Sequence, residues 1–365
     1  MYNRSKHPEN NGSAGNLAAN CGAEGSIRET IIPTSRESGK PLPNAGSATE
    51  RKSDGTQTVK AQQLLNRGYE CQQAGQFEHA VRCFQQAYAT YQDLQDGQGQ
   101  GKALNGLGLT YYNLRHYSKA IEYSQRSLEL AQKCQDRRSI VKILSTLGNA
   151  YRHLKDQDMA INCQQRSLAM AQEIGDRSGE MAALNNLGLA YKAQEDYETA
   201  IFYEEQSLAI ARELGETQIE EQILKNLGNA CYALGDYSRA VLYYQQRLDM
   251  ARTFADQRLE GQILRNLGNA CYVLGDYSKS IEYSQQWLML SRQLQDQRAE
   301  EQALGSVGVA YDAMGNYEKA ITYYEQRLQL ARCLNDLRLE EQVLGSLKLA
   351  YSALGDFTKV ATCSH

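Results

Sequence analysis

Residues 222–239 read QILKNLGNACYALGDYSR and residues 262–279 read QILRNLGNACYVLGDYSK, an offset of 40 at every matching letter. The same ruler finds Leu107-Gly108, Leu147-Gly148, Leu187-Gly188, Leu227-Gly228, Leu267-Gly268, Val307-Gly308 and an altered Leu347-Lys348. A period of this size constrains the fold more than any other property of the chain, because each copy has to adopt one structure and bury its apolar face against its neighbours. The length of 365 residues then implies an array and not two or three globular domains. The units are 61–100, 101–140, 141–180, 181–220, 221–260, 261–300 and 301–340, followed by a partial copy at 341–365. The first is diverged but keeps Gly68, Gly75, Phe77, Ala80 and Phe84 in step, as an end unit with one neighbour should.

Within a unit the apolar letters recur at helical spacing twice. In the fifth, Leu224, Leu227, Cys231 and Leu234 form one stripe, and Tyr237, Ala240, Val241, Tyr244 and Leu248 form a second. Between them stands Gly235-Asp236, a glycine suited to end one helix in a left-handed conformation and an aspartate suited to cap the next. A second acid, at Asp136, Asp176, Glu216, Asp256, Asp296 or Asp336, marks the start of the following unit as cap and as complement to the helix dipole. Each unit is therefore predicted to be a helical hairpin with helices of about 15 to 18 residues, and the fold class is all-α, a right-handed solenoid of stacked hairpins. Gly228 and Ala240 predict close approach of the two helices. Glycine costs about 1 kcal/mol inside a helix, so its recurrence in step from unit to unit implies a packing reason. Lys348 and Val360 break both rules in the last, partial unit, which is either a solvated cap or a point where the natural chain continues.

Residues 1–60 hold all four prolines, many Gly, Ser and Asn, and one aromatic, Tyr2. They are expected to be a disordered tail, since they cannot bury enough apolar surface to offset chain entropy. A short docking motif around Ile31-Ile32-Pro33 is the alternative reading there. The tail carries eight Lys/Arg against six Asp/Glu, which leaves 31 of the 39 cations and 37 of the 43 acids to the array. An acidic array is a poor match to a phosphate backbone, so no nucleic acid is expected. Apolar runs are too short to cross a bilayer, and no signal-peptide core is present, so a soluble cytoplasmic protein is expected. The nine cysteines are read as reduced: Cys71, Cys231 and Cys271 stand where Tyr111, Tyr151, Tyr191, Tyr311 and Tyr351 stand in other units, and equivalent residues of adjacent units lie beyond the ~7 Å Cα limit of a disulfide. His7, His79, His116, His153 and His365 share no position in the repeat, so neither a metal nor a cofactor is expected.

The pattern Leu224, Leu227, Gly228, Tyr or Cys at position 231, Gly235, Tyr237, Ala240, Tyr244 and Leu248 resembles the tetratricopeptide repeat, over residues 61–365. The resemblance implies a tetratricopeptide-type α-solenoid that binds protein or peptide partners. The usual unit has 34 residues and a closing proline; here it has 40, with Arg212, Arg252, Arg292 and Arg332 near the proline's place. The long, proline-free unit is similar to the arrays of Pins/LGN-type G-protein-signalling modulators and to long bacterial arrays that accompany signalling domains. The C-terminal GoLoco motifs of the modulators are not seen, which leaves the scaffold half of that resemblance.

In such a solenoid the first helix of each unit builds the inner wall. Positions pointing away from its packed stripe are Asn149 and Arg152; Asn185, Asn186 and Lys192; Lys225, Asn226, Asn229 and Tyr232; Arg265, Asn266, Asn269 and Tyr272. Carboxamides can bond both groups of a peptide unit, cations pair with carboxylates, and tyrosine packs apolar surface while keeping a polar tip. The set is therefore read as a concave groove for an extended, acidic segment of a partner. Lys225, Asn229 and Asn266 match three places of the carboxylate clamp known in shorter tetratricopeptide domains, whereas Gln302 and Ser306 do not match its other two, so an internal acidic segment fits better than a chain terminus. Polar residues on a solvated helix face also need no ligand, and that alternative stays open. The pairs Glu220-Glu221, Glu300-Glu301 and Glu340-Glu341 read as helix-start acids. Trp287 either fills a gap between units or is an exposed anchor. No phosphate loop, nucleophile elbow, histidine constellation or HExxH is present, so the chain is read as a non-enzymatic interaction scaffold. The alternative is the sensor or adaptor arm of a larger signalling assembly.

Overall fold

The computed structural model describes residues 48–362, with side chains from Gly55 onward; the motif expected at Ile31-Ile32-Pro33 lies outside the described residues. Sixteen α-helices and no strand occur among them. They fall into two compact units that divide between Arg247 and Leu248. The first holds α1 (Ala48–Gln73), α2 (Phe77–Asp93), α3 (Gly97–Asn113), α4 (Tyr117–Lys133), α5 (Arg137–His153), α6 (Gln157–Ile174), α7 (Arg177–Ala193), α8 (Tyr197–Leu214), α9 (Thr217–Leu234) and the start of α10 (Tyr237–Thr253). The second holds the rest of α10 with α11 (Gln257–Leu274), α12 (Tyr277–Gln293), α13 (Gln297–Ala313), α14 (Tyr317–Cys333), α15 (Leu337–Leu354) and α16 (Phe357–Thr362). Within each unit, helices adjacent in sequence pack on one another in series, as an all-α tetratricopeptide-type solenoid does.

The turns follow local chemistry. A residue with positive φ follows each 17- or 18-residue helix either directly, as Gly235 at 87°, Gly275 at 85° and Gly355 at 76°, or one residue later, as Lys155 at 63° and Ala255 at 54°. The connection is thus set by hairpin packing even where no glycine is available to relieve it. Asp136, Asp176, Asp256, Asp296 and Asp336 each accept a hydrogen bond from the backbone N–H three residues on, and Asp236 does the same for Arg239. Glu216 makes no such side-chain bond; its extra methylene carries the carboxylate past the N–H that aspartate reaches.

α1 begins at Ala48, inside the segment expected to be a tail. Residues 55–60 of it are exposed and Ala61 is its first fully buried residue, so tertiary packing starts where the repeat starts while the helix runs on N-terminally. In the first unit Leu65, Phe84, Tyr91, Leu104 and Leu107 form one core cluster and Ile143, Leu144 and Leu147 another. In the second, Ile321, Tyr324, Leu328, Val343, Leu347 and Tyr351 form a cluster against which Val360 packs, while Lys348 stays in solvent.

The recurring glycine makes room for a specific side chain of the second helix. A Cβ on Gly228 would run into the Tyr244 ring, one on Gly68 would fall 2.6 Å from Phe84, and one on Gly308 2.5 Å from Tyr324. The occupant varies: Ser124, Gln164, Glu204 and Ser284 fill the same place over Gly108, Gly148, Gly188 and Gly268.

A second complementary pair closes each hairpin near its open end. Ser127, Ser167 and Ser207 donate to the carbonyls of Gly101, Val141 and Met181 at 2.8, 3.0 and 2.9 Å. At the equivalent places Arg247 pairs with Glu221 and Arg327 with Glu301, both at 2.6 Å. Trp287 there lies over Gly261, with Cδ1 3.6 Å from where its Cβ would be. The tryptophan is therefore a 5 % exposed side chain lying over Gly261 of its own hairpin and is not an exposed anchor.

Candidate functional site

The first helices contact one another directly, α1 with α3, α3 with α5 and α5 with α7 in the first unit, and α11 with α13 in the second. Side chains knit this wall together. Gln72 Nε2 donates to Thr110 Oγ1 at 3.0 Å, the Tyr112 hydroxyl meets His153 Nε2 at 3.1 Å, and Asn186 Nδ2 donates to Ser145 Oγ at 3.1 Å. Asn186 thus holds α7 against α5.

The other predicted residues of the first unit divide by what their polar atoms meet. Asn149 Oδ1 accepts from Gln164 Nε2 at 3.3 Å and Asn229 Oδ1 from the Tyr244 hydroxyl at 2.8 Å, so both oxygens are turned into their own hairpins. Asn226 is 5 % exposed; its Oδ1 accepts from Gln222 at 3.3 Å while its buried Nδ2 has no partner. Asn185 is half-buried and its Oδ1 is likewise enclosed without a partner. Arg152, Lys192 and Lys225 are half-buried, and Tyr232 sets its ring edge-on to Tyr237 at 5.1 Å. The Lys225 ammonium is held below its ordinary range by burial first, then by the positive charges of Arg247 and Lys192, against the opposing pull of Glu221. In the second unit Arg265, Asn266 and Asn269 are half-buried, and Tyr272 packs on Tyr277 at 5.4 Å. Burial pushes the Tyr272 phenol up, reinforced by Tyr277 and Asp312.

The fourth repeat holds a group that helical periodicity does not reveal. Glu204 is fully buried over Gly188, and neither carboxyl oxygen has a hydrogen-bond partner. Gln164, its counterpart one repeat earlier, donates to the Ser145 carbonyl at 3.0 Å and to Asn149. The corresponding places in the fourth repeat are Asn185 and Leu189, and a leucine cannot donate to a carboxylate. Burial pushes the Glu204 carboxyl up to about 8, with Lys192 pulling the other way, so the group is neutral near pH 7. Its legible signal is an acid at a repeat position otherwise held by Phe, Ser, Gln and Tyr.

In the pairs Glu220-Glu221 and Glu300-Glu301 the two acids have separate partners. Glu220, Glu300 and Glu340 bond Arg212, Arg292 and Arg332 at 2.7, 2.8 and 2.7 Å, and Glu260 bonds Arg252 at 2.8 Å. Arg212, Arg252 and Arg292 also donate to Gln246, Gln286 and Gln326 of the following second helix. The arginines in the place of the usual proline therefore staple one hairpin to the next. Among the described residues no group of three or more His, Cys, Asp or Glu could hold a metal ion, and no helix is long and apolar enough to cross a membrane.

Hairpins of fixed length, stacked in series and joined through their first helices, define a helical-repeat protein. The chain belongs to the tetratricopeptide repeat family: family profiles described as tetratricopeptide repeat match residues 60–133, 139–213 and 259–332, and a second such profile matches 223–258. No curated protein matches it in sequence. Among solved structures it is similar to the apo form of RapI, with a TM-score of 0.62 and 14% identity over 83% of this chain and 85% of that one. It is also similar to a signal transduction ATPase with numerous domains, bearing a tetratricopeptide repeat sensor, from Pyrococcus horikoshii. There the TM-score is 0.55 and the identity 19%, over 86% of this chain and 46% of that one. The chain thus spans less than half the length of that ATPase. Aspartyl phosphate phosphatase F from Bacillus subtilis matches with a TM-score of 0.52 and 18% identity, over 77% and 72% of the two chains. At these identities the likeness is one of fold. The repeats support a protein-interaction scaffold, and the matching profiles indicate no catalytic family.

Proposed function

We propose that the chain is a non-catalytic scaffold that holds an extended, acidic segment of a partner protein against the first-helix wall of its repeats. The observation that carries this reading lies on α7, α9 and α10: the charge of half-buried Lys225 is disfavoured by burial and then by Arg247 and Lys192, and on α9 and α7 Asn226 and Asn185 have enclosed polar atoms without a partner. An incoming carboxylate would relieve the excess positive charge, and a peptide backbone could satisfy the carboxamides. Such a contact differs from a surface ion pair, because both lysine stems are already half desolvated.

The test is selection from a library of extended random peptides on the whole chain, followed by the double variant Lys192→Gln/Lys225→Gln. Acidic sequences should be enriched, and the double variant should bind them at least about tenfold more weakly, the loss of ~1.4 kcal/mol, with unchanged circular dichroism. Enrichment of neutral or basic peptides, or full binding by the double variant, would refute the reading.

A second reading is a sensor or adaptor arm of a signalling assembly. It is supported by the similarity to the ATPase whose repeats are described as a sensor. Co-purification with an effector chain, reversed by the acidic peptide, would distinguish it from a free-standing scaffold.

A further inference from the structure

Two places of the repeat face each other across the hairpin in several units, eleven residues in on the first helix and twenty-three residues in on the second. The rings of Tyr111 and Tyr123 stack there at 5.2 Å, those of Tyr191 and Tyr203 at 5.5 Å, and those of Tyr311 and Tyr323 at 5.7 Å. Cysteine replaces one member in other hairpins, as Cys163 opposite Tyr151, and by sequence position Cys231 opposite Tyr243 and Cys271 opposite Tyr283. In the first hairpin both places are cysteine, Cys71 on α1 and Cys83 on α2, and the two thiols are close enough to interact electrostatically. Both are partly accessible, whereas Cys163, Cys231 and Cys271 are buried and Cys134 and Cys333 are exposed. The separation that forbids a bridge between equivalent cysteines of neighbouring repeats does not apply to this pair, whose members lie on the two helices of one hairpin.

We propose that Cys71 and Cys83 form a dithiol site that a hydroperoxide converts into an intramolecular disulfide closing the first hairpin. The site is independent of the peptide-binding reading. In the first step the Cys71 thiolate attacks the peroxide; an S–O bond forms, the O–O bond breaks, and the thiol proton leaves with the departing alcohol, or with water when the oxidant is hydrogen peroxide. The Cys83 thiolate then attacks the sulfenic sulfur; the S–S bond forms, the S–O bond breaks, and hydroxide leaves as water with the second proton. Two thiols give up two electrons and the peroxide accepts them. Burial and the neighbouring Cys71 hold the Cys83 thiol up, with Arg67 and Arg82 acting in the opposite sense, which disfavours Cys83 as the first nucleophile.

The bond would have a mechanical consequence. Cys71 lies in the last turn of α1 and Cys83 in the second turn of α2, either side of the Gly75 turn. α1 is the terminal helix of the described array, and its N-terminal residues 55–60 are exposed. A bridge there would suppress fraying of the end hairpin, from which a repeat array opens first.

Tryptic cleavage after Arg67, Arg82 and Lys102 places the two cysteines on separate peptides, 68–82 and 83–102. The full chain would be treated with hydrogen peroxide, alkylated under denaturing conditions, digested and analysed by mass spectrometry. The expected product is a linked 68–82/83–102 pair in the monomer, separated by dithiothreitol and absent from Cys71→Ser and Cys83→Ser. Hydrogen exchange in residues 61–73 should slow in the oxidised wild-type chain and stay unchanged in both variants. Alkylation of both thiols after peroxide, oxidation of either to sulfinic acid without a link, or a bridge to any other cysteine would each overturn the proposal. The exchange profile of the untreated variants confirms that the serine chains are folded, so loss of the link cannot be mistaken for loss of the hairpin.

Discussion

Replacing Glu204 with Gln should stabilise the chain at high pH and have its smallest effect near pH 5. The carboxyl is fully buried over Gly188 with both oxygens unpartnered, and its pKa rises from 4.5 to about 8. An unfolded carboxyl ionises from about pH 4.5 upward, whereas the folded one keeps its proton until about pH 8, so the folded state binds the extra proton throughout that window. The contribution of the protonated carboxyl to stability is therefore fully present below the lower value, falls as pH rises through the window, and is gone above the upper one. At ~1.4 kcal/mol per pH unit the loss approaches about 5 kcal/mol as a ceiling, and local water penetration should bring it to about 3 kcal/mol. The new amide can donate to the Asn185 carbonyl as Gln164 does to that of Ser145, although Leu189 denies it the second bond that Asn149 supplies. Urea melts of both chains from about pH 5 to about pH 9, with hydrogen exchange followed in α7 and α8, measure the effect where a repeat array would open locally. The difference between variant and wild type should grow with pH. A difference constant to within about 0.5 kcal/mol across the range would refute the burial of an unpaired acid.

Trp287→Ala removes a 5 % exposed ring that lies over Gly261 and should cost about 3 to 5 kcal/mol in a denaturant melt; a loss below about 1 kcal/mol would show that the ring does not fill the hairpin. Gly228→Leu forces a side chain into the space of the Tyr244 ring and should cost about 3 kcal/mol by overpacking. A thermal midpoint equal to that of the wild type would exclude this contact.

Much of the fold was legible because the information is local and repeated. The spacing of Leu224, Leu227 and Cys231, the Gly235-Asp236 turn and the acids before each first helix carry their meaning within a few residues, and the structure places helices, positive φ and caps at those points. The groove was legible only as a list of outward positions. Asn149 and Asn229 show the limit: they lie on the expected helices, but their oxygens are taken by Gln164 and Tyr244, fifteen residues away on the next helix. Glu216 failed as a side-chain cap for want of reach, a difference of one methylene that composition does not register.

By itself the sequence determined that the chain is a serial array of two-helix units, where each unit begins and turns, and which stripe is apolar, because those properties depend on periodicity and on neighbours along the chain. Only the tertiary structure decided which side chain occupies the space over each glycine, that Glu204 is an unpaired buried acid, that Trp287 complements Gly261, and that Arg212, Arg252 and Arg292 bind one hairpin to the next. Those contacts join residues some 8 to 34 apart on different helices. Their existence depends on how two packed surfaces meet, a relation that the pattern on either surface alone does not contain.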